Sequence, residues 1–220
     1  MAIASLIYRA HEARTGKCAG ILIAIHSEGA DLNQLASLCT NLDLPLKVLC
    51  PQAPRAVNPR SQGSGDDGNY AWFFMDKMGE PEPATFGDCL WELEQFTFDA
   101  LEQHGAAMPI FVIGYGQGAL LALTLAGMVP EYVKGVVATD GYLPKTRDWS
   151  VLSADMLGMP ILLLCDRLGP PELRNRIDRS AHELSGKNAS VSIEEISELQ
   201  RDISAASCVL KNWFIARLPS

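Results

Sequence analysis

The chain has 220 residues, 48 % of them hydrophobic and 20 % charged. That is enough apolar material for one domain with a sizeable core, and the wrong balance for intrinsic disorder. The formal net charge is −8 and the 18 Lys and Arg residues form no basic run, which argues against a nucleic-acid partner. No apolar run approaches the roughly 20 residues that span a bilayer, so no membrane span is expected. The start, Met1-Ala2-Ile3-Ala4-Ser5-Leu6, lacks the basic region and long apolar core of a signal peptide. The six cysteines are widely spaced and form no CxxC pair. They read as reduced thiols of a cytoplasmic protein, and neither a metal nor another cofactor is expected.

In chain order, residues 5–9 suit a first edge strand. Residues 19–25 (Ala-Gly-Ile-Leu-Ile-Ala-Ile) form a short apolar run, as expected of a strand covered on both faces. A loop, His26-Ser27-Glu28-Gly29, leads to a helix over 31–41, with Leu32, Leu35 and Leu38 at helical spacing. Residues 46–50 are the next strand, stopped by Pro51 and Pro54. Residues 56–70 are rich in Gly, Ser, Asn and Asp and read as a long loop, with Asp66 and Asp67 at a solvated tip.

An amphipathic helix over 86–103 follows, carrying Leu90, Leu93, Phe96, Phe98 and Leu101. Residues 109–113 are a buried-type strand and 118–128 an Ala- and Leu-rich helix. Strands over 133–139 and 159–165, a helix over 172–184, a strand over 190–196 and a helix over 205–218 complete the pattern. Such alternation predicts an α/β fold with a mostly parallel sheet and helices on both faces. No repeat or linker divides residues 1–220, so a single domain is expected.

The most informative segment is Phe111-Val112-Ile113-Gly114-Tyr115-Gly116-Gln117-Gly118. It reads as strand, tight Gly-rich turn, helix. In the nucleophile elbow G-x-S-x-G, the outer glycines allow close strand–helix packing and the central Ser projects its hydroxyl above the sheet. Here the outer glycines are Gly114 and Gly118, and the centre is Gly116, which has no side chain.

At these residues the chain resembles the α/β-hydrolases of the phospholipase/carboxylesterase type, which include the acyl-protein thioesterases. The resemblance runs over about residues 20–214. Ile25-His26-Ser27-Glu28-Gly29-Ala30-Asp31 is similar to the family's L-H-G-x-G-G-D loop, and Pro51-Gln52-Ala53-Pro54 to its P-x-A-P stretch. Ala71-Trp72-Phe73 is similar to its W-F motif, Gly114 to Gly118 to its G-F-S-Q-G elbow, and Gly141-Tyr142-Leu143-Pro144 to its S-G-Y-L-P. The resemblance implies one α/β-hydrolase domain without a large cap.

The family's acyl transfer needs a Ser nucleophile, a His base and an Asp that orients the His. By the resemblance, Gly116 stands at the Ser position, Gly169 at the Asp position and Arg201 at the His position. No histidine follows His182. The resemblance also implies an oxyanion site built by the backbone N–H groups of Gln117 and Glu28, which can hold a carbonyl oxygen without a nucleophile.

Polar residues unusual for the family surround that site. Asp140, Glu28, Tyr115 and Arg201 are the candidate catalytic set. His26, Gly116, Gln117, Trp72, Phe73 and Tyr142 are the candidate substrate-binding residues. Each has a plainer role beside it: an Asx turn for Asp140, solvent for Glu28 and Arg201, packing for Tyr115 and for the cluster Trp72-Phe73-Phe74-Met75, and a local bond shaping the loop for His26. Cys165 reads as a buried inert thiol.

Three readings follow. The first is a non-hydrolytic enzyme acting by cyclisation, isomerisation or elimination on a small, apolar, carbonyl-bearing substrate. The second is an inactive pseudo-esterase that binds a small molecule or a partner protein. The third is a hydrolase with a rebuilt site, using Cys165 or an activated water. The resemblance also leaves room for a homodimer.

Overall fold

The computed structural model describes residues 6–14, 17–57, 69–77, 79–105, 107–145, 152, 155–197, 199 and 202–218. Nine strands are described: β1 (Tyr8–His11), β2 (Gly20–Ile25), β3 (Leu46–Pro51), β4 (Arg55–Ala56), β5 (Tyr70–Ala71), β6 (Ile110–Tyr115), β7 (Val133–Thr139), β8 (Pro160–Asp166) and β9 (Ser190–Ile196). The α-helices are α1 (Ala36–Asn41), α2 (Pro83–His104), α3 (Gln117–Met128), α4 (Pro171–Gly186) and α5 (Ser207–Ile215). Seven strands form one sheet in the order β1-β3-β2-β6-β7-β8-β9, and β4 pairs with β5. Only β1 runs antiparallel to its neighbour in the large sheet.

The period of two in the central strands builds two cores. Ile21, Ile23 and Ile25 of β2 pack on one face with α2, α3 and α4, through residues such as Phe86, Leu93, Leu121 and Ile177. Leu22 and Ala24 pack on the other with α1 and α5, through Leu38, Leu210 and Phe214. Every residue of β2 is buried, whereas edge strand β9 alternates between half-buried and exposed positions. The apolar run in β2 and the alternation in β9 are thus central and edge versions of the same geometry.

Most boundaries shift by one to three residues, and three elements depart further or for a visible reason. The first strand begins at Tyr8, paired with Pro51, with its start at residue 5 outside the described residues. The first helix begins only at Ala36. Asp31 accepts hydrogen bonds from the Asn33 N–H through its side chain (2.8 Å) and the Gln34 N–H through its carbonyl (3.1 Å), closing a turn that competes with a helix. At the C-terminal end a 3-10 turn, Ile203–Ala206, capped by the Asp202 side chain on the Ser204 N–H, precedes α5. The 56–70 loop lies mostly outside the described residues.

The topology itself locates a cleft. From β2 the chain moves outward to β3, then crosses back to β6 on the other side of β2 and continues to β7, β8 and β9. The order therefore reverses between β2 and β6. In open α/β sheets ligands bind outside the carboxyl ends of strands at such a reversal. The loop after β2 and the turn after β6 meet there.

Candidate active site at the strand ends

A single residue, Gly116, joins β6 to α3, with φ 54° and ψ −117°. A side chain in that backbone conformation is strained by roughly 1–3 kcal/mol, which glycine avoids. The flanking glycines answer a different need. A Cβ on Gly114 would lie 2.2 Å from the Gly118 carbonyl oxygen, and one on Gly118 would lie 2.1 Å from the Ile25 carbonyl oxygen. Both positions exclude any side chain because β6, α3 and the end of β2 touch backbone to backbone. The Gly116 N–H donates to the Thr139 carbonyl (3.0 Å), tying the turn to β7.

The facing loop is held by an almost complete set of hydrogen bonds. The Ala53 N–H donates to His26 Nε2 (3.0 Å), so the ring proton sits on Nδ1 and donates to the Ser27 carbonyl (2.8 Å). His26 is 1 % exposed, and burial pushes its pKa below the ordinary value, partly opposed by the bond to Ser27. Both ring nitrogens are therefore engaged, which leaves His26 no lone pair for a base. The Gln34 side chain accepts from the Ser27 N–H (2.7 Å) and donates to Ser27 Oγ (2.9 Å). The Gln52 side chain accepts from the Leu32 N–H (3.0 Å), and the Gly29 N–H donates to the Tyr70 carbonyl (2.8 Å).

Gln117 links this loop to the helix. Its side chain is buried, accepts from the Trp72 N–H (2.9 Å), and donates to the Phe73 carbonyl (3.0 Å) and to Glu28 Oε2 (3.2 Å). The structure thus brings Glu28 and Gln117 together across the turn, with Glu28 exposed. Among the described residues, the backbone N–H groups of Glu28 and Gln117 donate to no internal acceptor.

Tyr115 closes β6, Asp140 follows β7 and Asp166 closes β8. Asp140 adopts a left-handed φ of 48°, which Asp tolerates better than most residues. Its Oδ1 accepts from the Asp166 N–H (3.0 Å), bracing the two strand ends. Burial, then the charges of Asp140 and Asp166, push the Tyr115 hydroxyl's pKa upward, so it stays protonated and can donate. Gly169 lies in the turn after β8, where its N–H donates to the Asp166 carbonyl (3.0 Å). Arg201 lies outside the described residues. The other histidines sit at the end of β1 (His11), at the end of α2 (His104) and on α4 (His182).

The aromatic cluster divides. Trp72 and Phe73 have no exposed surface, and the Trp72 Nε1–H donates to the His26 carbonyl (2.9 Å). Phe74 and Met75 are exposed. Tyr142 is buried, and its hydroxyl donates to the Gly79 carbonyl (2.9 Å) beneath the Arg176 guanidinium, 4.6 Å from the ring centre. Arg176 also pairs with Glu80 (3.2 Å), so Tyr142 anchors the segment that follows the cluster. Cys165 is buried and burial raises its pKa, with Arg174 partly opposing. Burial likewise holds the Cys89 thiol up at about 11.

The sequence reading did not single out Ser27, Gln34, Gln52 or Asp166. Ser27 was accessible as the departure from Gly in the L-H-G-x-G pattern. The two glutamines carry no local signal, because their partners lie on other elements. Among the described residues, no three His, Cys, Asp or Glu side chains are grouped to hold a metal ion, and no helix is long and apolar enough to cross a membrane.

The chain matches the family model described as Phospholipase/Carboxylesterase over residues 10–196. Among solved structures it is similar to a carboxylesterase from Mesorhizobium loti (TM-score 0.78, 18 % identity, covering 97 % of this chain and 95 % of that one). It is also similar to the Bacillus cereus carboxylesterase (TM-score 0.76, 17 % identity, 98 % and 96 % covered) and to Zea mays acyl-protein thioesterase 2 (TM-score 0.74, 20 % identity, 97 % and 99 % covered). At these identities the structural likeness establishes the fold. No curated protein matches the chain. Together, the family match and the elbow between β6 and α3 show that this chain belongs to the phospholipase/carboxylesterase family of α/β-hydrolases.

Proposed function

We propose that this chain is an α/β-hydrolase-fold enzyme that works without a serine nucleophile, on a small, largely apolar molecule bearing a carbonyl group. One observation carries the reading. Gly116 has the backbone of an elbow and no side chain, and the histidine in the facing loop, His26, has both ring nitrogens engaged. Acyl transfer through a Ser–His pair has no members here.

What supports binding and turnover is the surviving set of donors and acids. The N–H groups of Glu28 and Gln117 hold the substrate carbonyl oxygen. A carboxylate, Glu28 or Asp140, takes a proton from the carbon beside that carbonyl, and the electron pair moves onto the oxygen as an enolate. Two aligned N–H donors stabilise that charge as it forms. The carboxylic acid then returns its proton to a carbon of the same molecule, which is isomerisation. In elimination, the enolate re-forms the carbonyl and expels a leaving group from the next carbon, which takes the proton. In cyclisation, the enolate carbon attacks an electrophilic carbon of the same molecule and the oxygen released there takes the proton. Tyr115, kept protonated, donates to the same substrate.

A second reading, a binding protein without turnover, is favoured by Asp140 spending Oδ1 on the Asp166 N–H and by the exposure of Glu28. Cys165 offers no replacement nucleophile, because it is buried and its pKa is raised.

The test is proton exchange in D2O, followed by NMR, across a panel of ketones, thioesters and amides. Catalysed exchange beside the carbonyl, lost in Glu28→Gln and Asp140→Asn, is expected. Binding without exchange selects the second reading. A stable fluorophosphonate adduct, located by mass spectrometry on a side chain of the cleft, would overturn both.

A further inference from the structure

Ser27 is the residue that faces the missing side chain. A Cβ built on Gly116 would lie 3.2 Å from Ser27 Cβ and 3.9 Å from its Cα, with nothing else described within 4 Å apart from the neighbours in the chain. In the pattern L-H-G-x-G, Ser27 stands where the first Gly would be. A side chain is thus absent at the turn and present on the loop opposite it.

The Ser27 hydroxyl is also oriented. Gln34 Nε2 donates to Oγ at 2.9 Å while Gln34 Oε1 fixes the Ser27 N–H at 2.7 Å. One lone pair of Oγ is therefore occupied, and its proton must point elsewhere. Its internal acceptor is the Glu28 carbonyl at 3.3 Å, beyond the usual range of about 2.5–3.0 Å for an O–H···O bond. A donor so weakly satisfied, beside a half-buried turn without a side chain, is open to a better acceptor from a ligand.

We propose that Ser27 Oγ–H is a third donor to the bound oxygen, beside the N–H groups of Glu28 and Gln117, with Gln34 as its positioning residue. This rests on the reading that those two amides hold a substrate carbonyl. The Glu28 carboxylate, 3.2 Å from Gln117 Nε2, places negative charge on the same loop. The site therefore takes a neutral carbonyl oxygen in preference to a carboxylate.

Calorimetric titration with octanamide and with octanoate tests the proposal. The wild type binds octanamide more tightly than octanoate. Ser27→Ala keeps the Cβ and weakens octanamide binding about 3–10-fold, the range expected for one neutral hydrogen bond. Gln34→Glu keeps the hydroxyl but supplies an acceptor that turns its proton away from the site, and weakens binding by a similar factor. Melting temperatures close to that of the wild type confirm that both variants fold. Failure of the wild type to bind octanamide removes the underlying reading of the two amides. Binding by the wild type with no loss in Ser27→Ala overturns the role of Ser27 alone.

A stability cycle tests the facing arrangement without any ligand. Gly116→Ser lowers the melting temperature by roughly 3–8 °C, from backbone strain plus the contact with Ser27. In a Ser27→Gly background the drop is smaller, because the contact is gone and the strain remains. An equal drop in both backgrounds overturns the arrangement.

Discussion

The loop and turn at the ends of β2 and β6 contrast with the turn after β8. At the first, Gly114 and Gly118 sit against backbone oxygens with no room for a methyl group, the Gln34 side chain bonds two groups of Ser27, and that of Gln117 bonds Trp72, Phe73 and Glu28. At the second, Arg167, Leu168 and Pro170 are exposed, Leu168 by 84 %, Gly169 is bonded three residues back, and the ties to other strands are single bonds from the Asp166 N–H to Asp140 Oδ1 and from the Arg167 N–H to the Ile196 carbonyl. The elbow is a folding requirement, since strand and helix cannot pack so closely without it. A catalytic Asp in the other turn would be required by chemistry alone. The proposed loss of acyl-transfer chemistry would therefore leave the first region intact and release the second.

Four measurements break or sharpen that contrast. Gly118→Ala should be the most damaging. Its Cβ meets the Ile25 carbonyl at 2.1 Å, so β2 and α3 must separate, at a cost of about 4 kcal/mol or more, read as loss of soluble protein or a collapsed urea midpoint. A stable, well-folded Gly118→Ala protein would erase the distinction between the regions. Gln117→Ala comes next. It strands the buried Trp72 N–H and Phe73 carbonyl and should lower unfolding free energy by about 2–4 kcal/mol in urea melts.

His26 supplies a pH test of the same region. Burial holds its pKa below the ordinary 6.5, so the unfolded chain takes up the proton first. Its stabilisation is complete above pH 6.5 and is lost as pH falls below that value, at up to about 1.4 kcal/mol per pH unit. Urea melts at pH 7.5 and 5.5 should show the decline, and His26→Gln should flatten it. The smallest effect belongs to the turn after β8. Gly169→Asp should change stability by no more than about 0.5 kcal/mol, as for an ordinary surface position. Combined with Gly116→Ser, it should leave p-nitrophenyl butyrate hydrolysis at background. Rapid turnover would mean that a base survives in the cleft.

Much of this fold is legible in the residues. β7 and β9 fall on the residues expected of them, and α2, α3 and α4 differ from expectation by a few residues at their ends. The helix expected from Asp31 is shortened because a side chain offers its own backbone a competing turn, which spacing of leucines does not register. The site is less legible. Gly116 and the lack of a histidine after His182 are read directly from the chain. That Trp72 and Phe73 are wholly buried while Phe74 and Met75 are exposed follows only from where the chain turns.

The order of amino acids by itself determined the alternating strands and helices, the glycines of the turn and the absence of a hydroxyl at its centre. Those are local properties, set by periodicity, by backbone freedom and by the identity of one residue. Tertiary structure alone decided that Ser27 faces Gly116, that Asp140 braces Asp166, and that Gln117 reaches Glu28 across 89 positions of chain. Apolar side chains follow a repeat because they need only a shared direction, whereas a hydrogen bond needs two particular atoms within about 3 Å. Only the packed sheet, by ending β2, β6, β7 and β8 side by side, brings those atoms together.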